Sequence, residues 1–126
     1  MSKSSVLAIV EDEPDVRMLV RVTLSRDPRL EILGEVTSAE EAIELADASQ
    51  PGVVVLDHSL DGEMTGLQAA PLIKRASPDS RIVLFTAYDM AAEARDEPAI
   101  DAYLRKDRIS ELVTVVDGLL GLEPIV

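Results

Sequence analysis

Short apolar runs alternate along the chain with longer stretches in which apolar residues recur at helical spacing. Three of the runs are continuous and rich in β-branched residues, namely Val6–Val10, Val53–Leu56 and Ile82–Phe85. Runs of this length and composition are typical of strands that are buried on both faces. Leu30–Val36 and Ile100–Arg105 alternate or carry charge, which is typical of edge strands. The sequence therefore predicts five strands, three of them central.

The stretches between the predicted strands carry apolar faces of helical period. The faces comprise Val16, Leu19, Val20, Thr23 and Leu24, then Ala39, Ala42, Ile43 and Ala46, and finally Ile109, Leu112, Val113, Val116 and Leu120. Pro14 is placed to open the first helix, and Thr65 is placed to cap the helix that follows the third strand. The chain order is therefore that of five successive βα units.

Five βα units imply right-handed crossovers and a parallel sheet. The most apolar strands are the first, third and fourth in sequence, and these are the interior positions of the doubly wound order 2-1-3-4-5. We therefore predict an α/β fold with a five-stranded parallel doubly wound sheet in this order. A length of 126 residues suffices for one ordinary domain, so we expect a single domain over residues 1–126 with no output domain.

The composition excludes several classes of protein. Asp and Glu number 24 against 12 Lys and Arg, and a net charge of −12 repels a phosphate backbone, so we expect no nucleic-acid partner. The longest apolar run has five residues, whereas a membrane span needs about twenty, so we expect no membrane partner. The absence of Cys excludes disulfides and thiol catalysis, and it fits a reducing, cytoplasmic location.

Polar or charged residues that could act together at one site follow four of the predicted strands. Glu11 and Asp12 come after the first strand, Asp57 after the third, Thr86 after the fourth and Lys106 after the fifth. In such a sheet, chemistry collects beyond the carboxyl ends of the strands, at the switch point between strands 1 and 3. Clustered carboxylates repel one another unless a cation is present, and hard oxygen ligands with open positions suit Mg²⁺. An Asp beside Mg²⁺ can attack phosphorus and form an acyl phosphate, whose oxygens a hydroxyl and an ammonium can hold.

Four sequence blocks, each at the end of a predicted strand, carry a resemblance to a known family. The blocks are VEDEPD at 10–15, VLD at 55–57, FTA at 85–87 and YLRK at 103–106. Together they resemble the receiver domain of two-component response regulators, over essentially the whole chain. The segments LGEV at 33–36 and YLRKD at 103–107 are similar to receivers that usually precede a LuxR-type DNA-binding module.

The resemblance implies the flavodoxin-like receiver fold and a role as a single-domain response regulator. It implies that Asp57 is phosphorylated by a histidine kinase or a histidine phosphotransfer protein with Mg²⁺. Signalling would follow from phosphorylation-dependent contact with a downstream protein that the sequence does not name. The resemblance implies no enzymatic activity beyond self-catalysed transfer to Asp57 and hydrolysis from it. We expect a monomer or a weak dimer.

The resemblance also assigns roles to individual residues. Asp12, Asp57 and the backbone carbonyl of Ser59 would bind Mg²⁺, and Glu11 would act largely through water. Asp57 would be the phosphoacceptor, assisted in catalysis by the remaining polar residues at the strand ends, which are Thr86 and Lys106. The switch residues would be Thr86, which moves toward the aspartyl phosphate, and Tyr103, which turns inward after it.

The sequence departs from the usual receiver pattern in three places. Asp61 stands where Pro is usual, and Gly66 comes nine residues after Asp57 instead of eight, which predicts a longer loop. Asp107 occupies a position where many relatives have a cis proline, and we predict a trans bond because a cis bond before Asp costs about 3 kcal/mol. The segment Asp89–Pro98 is short and acidic, so we expect a weak fourth helix.

Other functions fit parts of this pattern. A haloacid-dehalogenase-type phosphatase also uses Asp, Mg²⁺, Thr and Lys, but it has a second Asp where Ser59 stands. A flavodoxin-like FMN carrier needs a hydroxyl- and Gly-rich loop where Glu11–Glu13 would repel the phosphate. A receiver that binds partners without phosphorylation is compatible with the longer loop and the weak helix. Failure of acetyl phosphate to label the protein would favour that third option.

Individual candidate residues also have purely structural interpretations. Glu11–Glu13 could be an acidic helix start, Thr86 a strand residue and Lys106 a solvated edge charge. His58, the only His, is interpreted as a loop residue without a role.

Tyr88 could screen an aspartyl phosphate from water, which predicts a long-lived phosphorylated state.

Overall fold

The structure is a computed structural model that describes residues 5–124, in which five strands alternate with five α helices. The strands are β1 (Ser5–Val10), β2 (Leu30–Val36), β3 (Val53–Leu56), β4 (Arg81–Thr86) and β5 (Ala102–Arg105). The helices are α1 (Pro14–Leu24), α2 (Ala39–Ser49), α3 (Gly66–Ala76), α4 (Ala91–Asp96) and α5 (Leu112–Leu119), with a 3₁₀ segment at Lys106–Glu111 before α5. The ends of the predicted domain, residues 1–4 and 125–126, lie outside the described residues.

The five strands form one parallel sheet in the order β2-β1-β3-β4-β5, which confirms the predicted topology. β1 and β3 are neighbours, and their paired residues run from Leu7 with Val53 to Val10 with Leu56. The amide of Asp57 continues this ladder by donating to the carbonyl of Val10 at 3.0 Å. The residues that follow β1 and β3 therefore emerge side by side at the same edge of the sheet.

Side chains on the two faces of the sheet build two different cores. The face covered by α1 and α5 is filled by large residues such as Leu24, Phe85 and Leu112. The face covered by α2 and α3 is lined mainly by alanine on the helix side, at Ala39, Ala42, Ala46, Ala69 and Ala70. All four residues of β3 are buried, as its continuous apolar run predicts.

The predicted inward face of α1 is only partly correct. Val20, Thr23 and Leu24 are buried, but Leu19 is 50% exposed and lies on the outer side of the helix. The buried stripe runs through Val20, Thr23 and Leu24, and Leu19 lies beyond one edge of it. Met18 and Val22 are also half exposed, so α1 presents an apolar outer surface.

The predicted start of α1 and the predicted cap of α3 are confirmed. Pro14 is the first residue of α1, and Thr65 caps α3 through a capping box in which Thr65 and Gln68 exchange hydrogen bonds. α4 is a single short helix of six residues, as expected. β5 begins at Ala102, two residues later than predicted, although the amide of Asp101 already donates to the carbonyl of Ile82.

Peptide-bond geometry and helix length test two further expectations from the sequence. No peptide bond among residues 5–124 is cis, which confirms the trans prediction at Asp107. Within the same residues, none of the helices combines the length and apolar character that crossing a bilayer requires.

A buried charged cluster lies at the amino-terminal edge of the sheet, remote in topology from the predicted site. Arg29 donates to both carboxylate oxygens of Asp27, at 3.0 and 2.9 Å, and to Asp117 at 3.2 Å. Its hydrogen bond lowers the pKa of Asp27 to about 2. Burial, together with the neighbouring Asp27, raises the pKa of Asp117 to about 6. The guanidinium of Arg29 therefore binds two buried carboxyl groups, and only that of Asp27 has a lowered pKa.

Candidate functional site

Three carboxyl groups converge where β1 and β3 end. Glu11 and Asp12 follow β1, Asp57 follows β3, and one oxygen of each lies within 4.8 Å of the others. Glu11 and Asp57 are buried, at 2% and 3% exposure, while Asp12 is half-buried. Burying negative charge without a partner is costly, so this pocket needs positive charge.

Lys106 supplies one positive charge to the pocket. Its ammonium donates to Oδ2 of Asp57 at 3.0 Å and lies 2.9 Å from Oε1 of Glu11. The side chain is only 18% exposed, so the interpretation of Lys106 as a solvated edge charge is wrong. The contact with Glu11 is not part of the predicted site, because sequence order does not reveal which of the carboxylates the ammonium reaches.

The pKa values reflect this mixture of burial and charge. Burial raises the pKa of Glu11 to about 7, with the hydrogen bond from Lys106 opposing the rise and the charge of Asp57 adding to it. Burial by itself would lower the pKa of Lys106, but the hydrogen bonds to Glu11 and Asp57 outweigh it, and the net shift is upward. With one ammonium facing three carboxyl groups, the pocket favours a further cation.

Backbone contacts fix the carboxylate of Asp57. The amide of His58 donates to its Oδ1 at 2.8 Å, which leaves Oδ2 to Lys106. The loop after β3 then folds back, and the amide of Gly66 donates to the carbonyl of His58 at 2.8 Å. A Cβ atom at Gly66 would lie 1.9 Å from the carbonyl oxygen of Asp57, so only glycine fits this approach.

The loop between Asp57 and Gly66 also contacts the start of α2. The amide of Asp61 donates to the carbonyl of Thr37 at 3.0 Å, beside an isolated bridge between Asp61 and Ser38. Ser59 is exposed in this loop, and the role of its carbonyl stays a prediction. Nδ1 of His58 is buried and has no hydrogen-bond partner in the described part of the chain.

The fourth strand end carries Thr86 and the loop that follows it. Thr86 is fully buried, and its hydroxyl accepts from the amide of Tyr88 at 3.3 Å. The hydroxyl of Tyr103 donates to the carbonyl of Tyr88 at 2.8 Å and accepts from the amide of Met90 at 3.0 Å. Tyr88 is 57% exposed, so the role of its ring in screening a phosphoryl group stays a prediction.

Sequence reasoning missed Arg17, which contacts the pocket from α1. Its guanidinium donates to the carbonyl of Glu11 at 3.0 Å. The available signal was a basic residue flanked by Val16 and Met18 in the first turns of the helix that directly follows the acidic residues.

The fold and the pocket define a doubly wound α/β domain with an acidic pocket at its topological switch point. Residues 7–117 match the sequence model of the response regulator receiver domain, and the chain belongs to this family. Receiver domains of this family are signalling modules of two-component systems, and the acidic cluster fits Mg²⁺ binding.

Individual relatives agree with this assignment. The chain is 29% identical over 105 residues to the nitrate/nitrite response regulator NarL of Escherichia coli K12, covering 82% of this chain and 48% of the relative. It is 32% identical over 111 residues to the transcriptional regulatory protein PdtaR of Mycobacterium tuberculosis H37Rv, covering 86% and 53%. The chain thus spans about half the length of these curated relatives, and its action as a single domain stays a prediction.

Solved structures give the same picture. The two-component response regulator of the LuxR family from Aurantimonas sp. SI85-9A1 superposes with a TM-score of 0.85 and 28% identity, covering 96% of this chain and 89% of that chain. The DNA-binding response regulator of the LuxR family from Staphylococcus aureus gives a TM-score of 0.82 at 27% identity, covering 92% and 98%. The predicted similarity to receivers of LuxR-type regulators is therefore confirmed.

Proposed function

We propose that Asp57 accepts a phosphoryl group from the phosphohistidine of a histidine kinase or a histidine phosphotransfer protein, with Mg²⁺ bound beside it. The observation that supports this proposal is the cluster of Glu11, Asp12 and Asp57, in which the ammonium of Lys106 contacts Glu11 and Asp57. A pocket with this surplus of negative charge repels an incoming phosphoryl group until a cation occupies it.

The residues present fit Mg²⁺ because they offer hard carboxylate oxygens close together and leave positions open for water and phosphoryl oxygens. Asp12, Asp57 and the carbonyl of Ser59 would hold the ion, with Glu11 acting through water. When bound, Mg²⁺ supplies charge neutralisation for the phosphoryl oxygens.

The chain's own residues carry out the transfer. A carboxylate oxygen of Asp57 forms a bond to phosphorus while the bond between phosphorus and the donor imidazole breaks, and the electron pair leaves with the imidazole. The His58 amide and Lys106 orient the Asp57 carboxylate before the reaction. Lys106 and the hydroxyl of Thr86 then hold the phosphoryl oxygens, since phosphoryl transfer depends mainly on positioning and charge neutralisation. Beyond this transfer and the later hydrolysis, the domain turns over no substrate.

The outer surface of α1 is the proposed docking site for the phosphoryl donor. Met18, Leu19 and Val22 are each half exposed on this helix, and an exposed apolar patch of this kind marks a protein–protein contact. α1 begins at Pro14, two residues after Asp12, so a partner on this helix lies beside the pocket. A donor histidine carried by that partner is then presented to Asp57.

The signal leaves through a change in protein–protein contact. The loop after β4 joins Thr86 to Tyr103 through the hydrogen bonds at Tyr88 and Met90. Movement of Thr86 toward the aspartyl phosphate alters these contacts, and a downstream protein reads the altered surface. This is the step that distinguishes a phosphorylation-dependent receiver from one that binds partners regardless of phosphorylation.

Intact mass spectrometry after acetyl phosphate treatment, with and without Mg²⁺, tests the proposal. The wild-type protein should gain the mass of one phosphoryl group only with Mg²⁺, and Asp57→Asn should gain none. Asp61→Asn is the matched control, because Asp61 is an exposed carboxylate of the same loop and should leave labelling unchanged. Full labelling of the Asp57→Asn protein would refute the acceptor assignment. An unlabelled wild-type protein would favour phosphorylation-independent binding.

A further inference from the structure

Arg17 connects the acidic pocket to two neighbouring elements. From α1, its Nη1 atom donates to the carbonyl oxygen of Glu11 at 3.0 Å, and its Nε atom lies 3.6 Å from Oε1 of Glu35 in β2. The side chain is 24% exposed, so the contact with Glu11 is partly shielded from water. A charged donor on a carbonyl makes a stronger hydrogen bond than a neutral one.

The contact fixes the short segment that carries two of the three carboxyl groups. Only residues 11–13 separate the end of β1 from the start of α1. The amide of Glu11 donates to the carbonyl of Val36 at 3.0 Å, and its carbonyl accepts from Arg17, so both polar groups of its backbone are bonded. The peptide group between Glu11 and Asp12 is thereby held in one orientation.

That orientation opposes the mutual repulsion of the acidic groups in the pocket. The carboxylates of Glu11, Asp12 and Asp57 lie close together and repel one another, so a free segment would turn them apart. A metal ion binds most tightly to ligands that are already gathered, and contacts behind the ligands typically contribute a factor of about 10 to 100 in metal affinity.

We propose that Arg17 is a positioning residue for the divalent-cation pocket, acting through the carbonyl of Glu11. This inference rests on the proposed Mg²⁺ site. Arg17 touches neither the metal nor the phosphoryl group. It gathers Glu11 and Asp12 toward Asp57, and its loss weakens Mg²⁺ binding.

Arg21 provides a natural comparison on the same helix. It lies one turn further along α1 and donates to both carboxylate oxygens of Glu35, at 3.1 and 3.0 Å. Its side chain is 47% exposed, and its contacts are with Glu35 and not with Glu11. An exposed ion pair of this kind contributes little to stability. Replacing Arg21 therefore removes the same charge and the same Glu35 partner without releasing the segment at 11–13.

The test is a Mg²⁺ titration of four proteins, monitored by calorimetry and by amide chemical shifts. The proteins are the wild type, Arg17→Ala, Arg17→Lys and Arg21→Ala. Arg17→Ala should weaken Mg²⁺ affinity by about tenfold, Arg17→Lys should recover part of the loss, and Arg21→Ala should stay close to wild type. Acetyl phosphate labelling of Arg17→Ala should be slow at low Mg²⁺ and should recover when Mg²⁺ is saturating. Because saturating Mg²⁺ would also stabilise a merely unstable protein, a native circular dichroism spectrum of Arg17→Ala without Mg²⁺ is the readout that separates the two causes.

The outcomes separate this inference from the function on which it rests. Equal Mg²⁺ affinities for Arg17→Ala and Arg21→Ala, with normal binding by the wild-type protein, would overturn only the role of Arg17. A wild-type protein that binds no Mg²⁺ would overturn the proposed site and this role together. Should Arg17→Ala fail to fold, Arg17→Lys decides the question, because it keeps the charge and shortens the reach to Glu11.

Discussion

The hydroxyl of Tyr103 donates to the backbone carbonyl of Tyr88 at 2.8 Å and also accepts from the amide of Met90. Tyr103→Phe keeps the ring and removes both hydrogen bonds, so it should cost about 0.5–1.5 kcal/mol of stability. Amide hydrogen exchange at Met90 should become faster, because that amide loses its acceptor. Tyr88→Phe is the control, since it leaves the backbone of residue 88 intact. Unchanged exchange at Met90 in Tyr103→Phe would show that water replaces the hydroxyl without consequence.

Lys106→Ala should change phosphorylation and metal binding in opposite directions. Labelling by acetyl phosphate should slow because the cation that faces the phosphoryl oxygens is lost. Mg²⁺ affinity should rise by a few-fold because the carboxylates lose a competing positive charge. Stability without Mg²⁺ should fall, since Glu11 and Asp57 remain buried without the ammonium. Arg105→Ala is the control: it removes an exposed neighbouring charge and should change neither the labelling rate, nor the Mg²⁺ affinity, nor the stability. Identical metal affinity and labelling in Lys106→Ala and wild type would contradict this role.

Gly66→Ala should destabilise the protein, because the added Cβ would lie 1.9 Å from the carbonyl oxygen of Asp57. Relief of that overlap requires backbone movement, and the expected cost is about 1–3 kcal/mol or more. Gly118→Ala is the matched substitution in α5, where an added Cβ meets nothing within 4 Å. It should stabilise the protein by about 0.5–1 kcal/mol through helix propensity. Urea unfolding of both variants measures the difference, and equal midpoints would refute the close approach.

Asp117→Asn should alter the pH dependence of stability. The pKa of Asp117 is raised in the folded protein to about 6, so the folded state holds a proton that the unfolded state releases near pH 4. Stability contributed by protonated Asp117 is therefore lost as the pH rises from about 4 to 6, and the Asp117→Asn substitution abolishes that loss. The variant should be more stable than wild type at pH 7, by roughly 1 kcal/mol.

Thermal unfolding from pH 4.5 to 7.5 tests this expectation. Glu11 titrates in the same range in both proteins, so the difference between the two curves isolates Asp117. Asp27→Asn is the opposite case, because the low pKa of Asp27 reflects its hydrogen bonds with Arg29, and this variant should be less stable than wild type at pH 7. Parallel curves for wild type and Asp117→Asn would disprove the raised pKa.

Tyr88→Ala should release phosphate from the phosphorylated protein faster than wild type, because it removes the ring that restricts the approach of water. Ser59, the other residue two positions beyond a site residue, is small and offers no base that would speed hydrolysis. Tyr88→Phe keeps the ring and should behave as wild type. Unchanged or slower release from Tyr88→Ala would mean that the exposed ring controls nothing.

The strand order was predictable because each position in the sheet makes different demands on composition. β3 is buried throughout and reads as a continuous apolar run, whereas β2 and β5 lie at the edges and carry polar residues. The convergence of Glu11 and Asp57 was predictable for the same reason, because parallel strands end at one edge.

Contacts made by long side chains could not be predicted in this way. The reach of Arg17 to a carbonyl and the choice of Lys106 between carboxylates depend on rotamers and on the path of the backbone. The exposure of Leu19 depends on how α1 is rotated against its neighbours, and periodicity does not show where the buried face of a helix ends. Sequence patterns thus identify which groups share a region, and packing decides which of them touch.

The alanines that line the interface between the sheet and helices α2 and α3 limit which substitutions this domain can accept in evolution. At these alanines the side chains are already near the minimum size, so substitutions there are limited by crowding, and a larger residue must push a helix outward. On the opposite face, where Phe85 and Leu112 fill the space, substitutions are limited by the voids that they leave. Homologues are therefore expected to differ in helix position on the first face and in side-chain identity on the second.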